Sequence, residues 1–341
     1  MRVFAGFLVM ASVLGSAGAQ EAPCVVVATV ARALTPQALL RPTPGGYIPE
    51  PLIVPERDVP SETFVAREGL FRRVPIVSVQ ADEGPRRIVF VEAFGSGWRE
   101  HARQPAAPNK GLSRAELTAI LSVARPQDSF ALLVIGGPRV EVPFGSPREA
   151  LRAGIQAISH PDPDAPEGPG LFDGLLKAAS WFGASQIGDS ILEIGDVRRW
   201  RWDKARAARL RTALVGRGIR LFTLGGAYYT EGTCSEVWDC GSWESPFTVL
   251  CGESGGGSQD IGYLGPNARD AMQWEWQEAA KALYRQTTCA YILRLPRTGP
   301  RVKIELVPAA KSPWVGVSYP SPLPVCPPPA GPAPPPRQEQ K

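Results

Sequence analysis

A few carboxylates, one serine and six cysteines are the residues of this chain with evident chemical potential. Glu92, Ser96 and Asp196 are oxygen donors that follow or end two apolar runs, Ile88 to Val91 and Ser190 to Ile194. A hard divalent cation takes near-octahedral oxygen ligands, and these three are the weak candidates for holding one. Glu193 interrupts its own apolar run, and a buried carboxylate is costly unless paired or hydrogen-bonded. It pairs with a nearby arginine or hydroxyl, or it works with Glu92 as an acid/base pair. The cysteines are Cys24, Cys234, Cys240, Cys251, Cys289 and Cys326. Their even number suggests disulfides in an exported chain. Cys234, Cys240 and Cys251 lack the short paired spacing of a zinc site. The expectation is no free thiol, with Cys234–Cys240 as a local bridge and Cys251–Cys289 as a longer one. Other pairings stay open.

Export is read from the first residues. Arg2, an apolar segment from Val3 to Leu14 and an Ala-x-Ala ending at Ala19 make a signal peptide over residues 1–19. No later apolar stretch is long enough to cross a bilayer, so no membrane span is expected after processing. The mature chain is expected in a periplasm or outside the cell. A net charge of +4 on 341 residues does not point to nucleic acid. The basic run Arg198, Arg199, Arg201, Lys204, Arg206, Arg209 and Arg211 reads as a solvated face or a surface for an anionic partner.

The elements that must position these groups change character along the chain. Residues 20–80 read as a β-rich subdomain, with strands at Val25 to Val30, Thr63 to Gly69 and Val74 to Val79. Pro75 demotes the last to an edge. From Ile88 onward, buried strands alternate with amphipathic helices, which predicts an α/β fold with a doubly wound, mostly parallel sheet. Its helices are marked by a Ser113/Glu116 capping box and by Pro147, another runs from Asp203 to Val215, and Asn267 caps a long helix to Gln286. Ala290 to Leu295 closes the series. Within it, residues 226–266 form a long excursion carrying Tyr228, Tyr229, Trp238, Trp243 and three cysteines. That composition argues for a stapled loop rather than disorder. Residues 296–319 hold two strands that rejoin the β subdomain, and the proline-rich tail over 320–341 is expected to be extended. Ligands of such sheets bind where the chain leaves the carboxyl ends of the central strands, so any site lies near Glu92 to Gly97.

Over residues 86–295 the chain resembles the von Willebrand factor A domain. The segments carrying the likeness are Val91-Glu92-Ala93-Phe94-Gly95-Ser96, Gly168-Pro169-Gly170-Leu171-Phe172-Asp173 and Ile191-Leu192-Glu193-Ile194-Gly195-Asp196, with Pro126 to Leu132 as the lead into the second strand. With its flanks, Phe64-Val65-Ala66-Arg67-Glu68-Gly69 and Leu283-Tyr284-Arg285-Gln286, it is similar to exported acidobacterial proteins of the VWFA-related type. The resemblance implies a rim that holds a divalent metal through an Asp-x-Ser-x-Ser loop, a threonine and a second aspartate. Here those positions carry Glu92, Phe94, Ser96, Pro169 and Gly195, which predicts a degenerate, metal-free rim and no cofactor.

Cys251-Gly252-Glu253-Ser254-Gly255-Gly256 resembles the nucleophile loop of chymotrypsin-like proteases. That chemistry needs a histidine base with an orienting aspartate. The two histidines, His101 and His160, are not in the protease setting, and a flexible loop is the better reading. The favoured function is therefore a non-catalytic binding or scaffold module for a protein partner. Its contact surface is expected at Phe94, Trp98, Pro169, Tyr228, Tyr229, Trp238 and Trp243. The alternative is a hydrolase built on Glu92/Glu193 or Ser254.

Overall fold

The computed structural model describes residues 24–34, 52–69, 72–94, 112–159, 170–195, 203–229, 246–264, 273–296, 302–307, 315–321 and 323. Arg87–Ala93 (β6) is buried at every position but the first, as its unbroken apolar run requires. It forms the centre of a six-stranded sheet. Ser129–Ile135 (β7) pairs with it in parallel on one side, followed by the short antiparallel Glu141–Val142 (β8). Ser190–Gly195 (β9), Arg220–Tyr229 (β10) and Gly257–Leu264 (β11) extend it in parallel on the other side. The order β11-β10-β9-β6-β7-β8 reverses direction between β6 and β9. This is the predicted doubly wound, mostly parallel sheet.

Helices cover both faces. Arg114–Val123 (α1), Arg148–Ala157 (α2) and Gln273–Thr288 (α6) share a core with Phe90, Phe94, Leu192, Ile194 and Phe222. Leu171–Ser180 (α3), Lys204–Arg217 (α4) and Pro246–Glu253 (α5) share the other with Val89, Val91, Ala93, Ile191 and Leu221. Asp203, expected as the first helical residue, instead caps α4, its Oδ1 accepting from the Arg206 N–H at 3.0 Å. Ser113 makes no capping bond to α1 and is itself fully buried, so the expected capping box is not formed. Asn267 lies outside the described residues.

The remaining strands build a second β layer. Cys24–Leu34 (β1) pairs antiparallel with Leu52–Pro55 (β2), Val315–Ser318 (β14) and Ala290–Leu295 (β12), and Ser78–Asp82 (β5) borders β12. Phe64–Glu68 (β3), Arg72–Val74 (β4) and Val302–Leu306 (β13) form a separate three-stranded sheet. A core that includes Val26, Phe64, Tyr291, Leu293 and Ile304 draws on both.

Three expectations are corrected. The segment Ala290 to Leu295 does not close the parallel sheet, because β11 already takes the place beside β10. The excursion over 226–266 is not a loop throughout: α5 and β11 are built from it, and Tyr228 and Tyr229 continue β10. Its glycines concealed the strand, and the one just before it is required. A Cβ on Gly256 would run into the Leu221 backbone. Finally, Val74 to Val79 is not one strand. Pro75 and its neighbours separate β4 from β5, which belong to different sheets.

Candidate functional site

The carboxyl ends of β6 and β9 meet at the point where the strand order reverses, the usual place for a ligand in an open α/β sheet. Parallel register sets which groups can cooperate there. Glu92 lies beside Val134 and Ile194, whereas Glu193 lies beside Val91 and Thr223. Successive side chains of a strand point to opposite faces. Glu92 therefore shares the face of Phe90, Phe94 and Ile194, under α1 and α6, and Glu193 shares the face of Val91 and Ile191, under α3 and α4. The two carboxylates, 2% and 0% exposed, are separated by the sheet itself. The alternative of an acid/base pair is not assembled.

Phe94 is also placed differently from expectation. It is 3% exposed and belongs to the core of the α1 and α6 face, so it cannot act as an exposed anchor. Two glycines after β7 make room for it. A Cβ on Gly137 would come within 2.8 Å of the Phe94 ring. Gly136, at φ +74°, packs directly against the Phe94 carbonyl. Meanwhile the Phe94 N–H donates to the Ile135 carbonyl at 2.9 Å. Backbone and ring together lock the first residue after β6 into the sheet.

Ser254 is fully buried and structural. Its Oγ accepts from the Leu221 N–H at 2.9 Å and donates to the Cys251 carbonyl at 2.7 Å. It joins the end of α5 to the start of β10 and presents no nucleophile. Neither Cys251 nor Cys289 is disulfide-bonded, which corrects their expected bridge. Cys251 sits in the core under α4 and α5. Cys289 is half-buried beyond α6, its Sγ donating to the Glu56 carbonyl at 3.7 Å. Burial pushes the Cys289 thiol up in pKa, against the nearby guanidinium of Arg57. Cys24 is disulfide-bonded. Trp98, Pro169, Trp238, Trp243, Ser96, Asp196, Cys234, Cys240, Cys326 and residues 1–19 lie outside the described residues.

The polar groups that sequence reasoning missed lie at the opposite, amino end of the sheet. Asp128, 5% exposed, accepts from the Arg86 N–H at 2.9 Å, from Arg125 Nη2 at 2.7 Å and from the Tyr284 hydroxyl at 2.7 Å. Asp189, fully buried, takes the Arg87 guanidinium in a two-point contact of 2.9 and 2.7 Å. Arg86 and Arg220, 1% and 0% exposed, both donate to the Thr287 carbonyl near the end of α6, at 3.1 and 2.7 Å. Arg86 also pairs with Asp82 at 2.8 Å, and Arg220 reaches Thr29 Oγ1 at 3.0 Å. Desolvation, and then the neighbouring Arg86 charge, push Arg220 down to about 9, which still leaves it charged at neutral pH. Arginines at or just before the start of β6 and β10 were the available signal.

No protein-family model and no curated protein matches the sequence. Among solved structures, the chain is similar to the conserved hypothetical protein BatB of Bacteroides thetaiotaomicron, at 17% identity over 58% of this chain and 98% of that one, with a TM-score of 0.37. It is similar to proximal thread matrix protein 1 from the mussel byssus at 12% identity, covering 66% of this chain and 50% of that one, with a TM-score of 0.37. Similarity to the SpRpn10 VWA domain is 8%, over 57% and 93% of the two chains, with a TM-score of 0.34. These likenesses are distant, and the fold assignment rests on the strand order itself.

Proposed function

We propose that the chain is an exported, non-catalytic binding or scaffold module that recognises a protein partner through the carboxyl-end rim of its parallel sheet, without a bound metal. The observation that carries this reading is Phe94. Where a metal-bridged rim needs an oxygen ligand open to solvent, this chain has a buried ring held by two glycines. The residues of the hydrolase alternative add support, since Glu92 and Glu193 occupy opposite faces and Ser254 is tied to the backbone on both sides. Recognition is then assigned to the candidate aromatics Trp98, Trp238 and Trp243, with Pro169. Rigid aromatics lose little entropy on contact and often dominate interface energy.

The test is capture of partners from the native envelope fraction by the intact chain and by the Trp238→Ala/Trp243→Ala variant. Loss of capture with an unchanged melting temperature supports the rim, whereas retained capture with a lowered melting temperature assigns both rings to the core. For the metal, calorimetric titration with Mg²⁺ or Mn²⁺ is expected to show no stoichiometric binding. Tight binding that disappears in Ser96→Ala would overturn the metal-free reading.

A further inference from the structure

Cys24 is disulfide-bonded, and neither Cys251 nor Cys289 is. Within the chain, the partner of Cys24 is therefore Cys234, Cys240 or Cys326. These three follow different elements, and the packing of those elements separates them.

Cys24 opens β1 and lies in the core that also holds Val26, Leu295 and Leu306. This end of β1 is remote from the parallel sheet. Thr29 meets Arg220 at the amino end of that sheet, and Cys24 is ~17 Å further along the strand at ~3.3 Å per residue. Likewise β12 leaves α6 at Ala290 and reaches Leu295, opposite Cys24, only at its far end. Cys234 and Cys240 fall between Tyr229 and Pro246 in the sequence. By Tyr229, β10 has carried the chain ~30 Å towards the carboxyl end of the sheet, and α5 then packs Phe247 and Leu250 into the core with Leu221. That core shares no residue with the one around Cys24. Cys326 approaches differently. β14 pairs with β1, Thr29 opposite Ser318. After the Ser321 N–H has bonded to the Glu253 carbonyl, the chain enters the Cys24 core at Leu323, 5% exposed. From Leu323 to Cys326 the chain can span up to ~11 Å, and bonded cysteines hold their Cα atoms ~4.4–6.8 Å apart.

We propose that Cys24 and Cys326 are an oxidative modification site, cross-linked to fasten the last strand of the chain onto the first. The second β layer takes β1 from one end of the sequence and β13 and β14 from the other, so its core forms only when the two ends meet. The cross-link removes that freedom from the unfolded chain. The oxidant is an external disulfide. One cysteine thiolate attacks it, the other displaces it from the mixed disulfide, and it departs as two thiols that carry both protons. One S–S bond is broken and one is formed. The cross-link closes the end at which β1 and β14 would otherwise part, and it is independent of recognition at the rim.

Tryptic mapping of the full chain, purified without reductant and with thiols alkylated, tests the pairing. Cys24 falls on the peptide ending at Arg32, Cys326 on 312–337, and Cys234 and Cys240 together on 221–269. The expected product is the Arg32 peptide linked to 312–337. Linkage to 221–269, or alkylation of Cys24, overturns the proposal. In Cys326→Ser, Cys24 is expected to become alkylated on denaturation and the melting temperature to fall by about 5 °C or more. A Cys24 that stays blocked overturns the pairing, and an unchanged melting temperature overturns the fastening role. The wild-type map decides the pairing even where the variant does not fold.

Discussion

Among the described residues, the buried carboxylates at the amino end of the sheet, Asp82, Asp128 and Asp189, each meet an arginine, whereas Arg220 has no carboxylate in an ion pair. Asp128 serves Arg86, Arg125 and Tyr284 together. Asp128→Asn is therefore expected to destabilise by about 3 kcal/mol, because a guanidinium and a hydroxyl lose their partner inside the protein; urea denaturation measures it. Arg86 and Arg220 should behave differently despite similar burial. Arg86→Met strands Asp82 and releases the Gly84 and Asp82 carbonyls, for a cost of about 3 kcal/mol. Arg220 makes no ion pair among the described residues, and Thr287 keeps its bond from Arg86. Arg220→Met should change stability by no more than about 1 kcal/mol, and it can stabilise, since a desolvated charge is exchanged for a packed side chain. Equal losses in the two variants would show that this difference in pairing does not matter. Tyr284 gives a pH signature. Burial pushes its pKa up to about 12, above the ~10 of an unfolded tyrosine. The folded state thus favours the neutral phenol, and its contribution to stability is complete below about pH 10 and lost as pH rises towards 12. Unfolding midpoints followed through that window should fall in the wild type and fall less in Tyr284→Phe.

At the level of elements, the sequence exposed what periodicity can expose. Runs such as Ile88 to Val91 and Phe130 to Ile135 are apolar throughout because both faces are covered, and their place in a central parallel sheet was legible. What failed was strands without that signature. Gly257–Leu264 is a strand because it lies next to β10, not because its residues favour one. Ala290–Leu295 has a strand's composition, but nothing in its side chains says which sheet it joins. The site was less legible still. Glu92 and Glu193 look like neighbours until register separates them, since one residue of offset moves a side chain through the sheet. Phe94 is readable as a missing ligand, but not as a plug, until Gly136 and Gly137 are seen against it. Gly136→Ala should accordingly destabilise by about 2 kcal/mol or more, combining a left-handed backbone with a collision at Phe94; thermal denaturation reads it. One element is held in an unusual way. The Ile53 N–H of β2 donates to Gln259 Oε1 at 2.7 Å, and its carbonyl accepts from Gln286 Nε2 at 2.8 Å. Two side chains thus act as a neighbouring strand would. Hydrogen exchange at Ile53 is expected to accelerate in Gln259→Ala while β7 amides are unchanged; equal protection in the variant would remove that role.

Across the whole molecule, the parallel sheet and the second β layer are joined through buried polar contacts. Arg220 reaches Thr29 of β1, Arg86 reaches Asp82 of β5, and both meet at Thr287. Among the described residues, the thiols of Cys251 and Cys289 sample this arrangement at different depths. Cys251, fully buried, should react with an alkylating agent only when the molecule unfolds. Cys289, under the segment that includes Glu56, should react sooner through local opening, and rates measured against denaturant separate the two routes. A denaturant-independent rate at Cys251 would contradict this ordering. The antiparallel pair of β1 and β14 has a mechanical consequence. Thr29 lies opposite Ser318 and Arg32 opposite Val315, so the chain enters β1 and leaves β14 at the same end of the pair. A load carried along the backbone through those two points pulls the strands apart like a zipper, one bond at a time, instead of shearing them all together. Along that path, with the Cys24 bond reduced, the β1–β14 pair parts only after the load has broken the Ser254–Pro320 bridge and the Ser321 N–H bond to the Glu253 carbonyl, so α5 guards the zipper's open end.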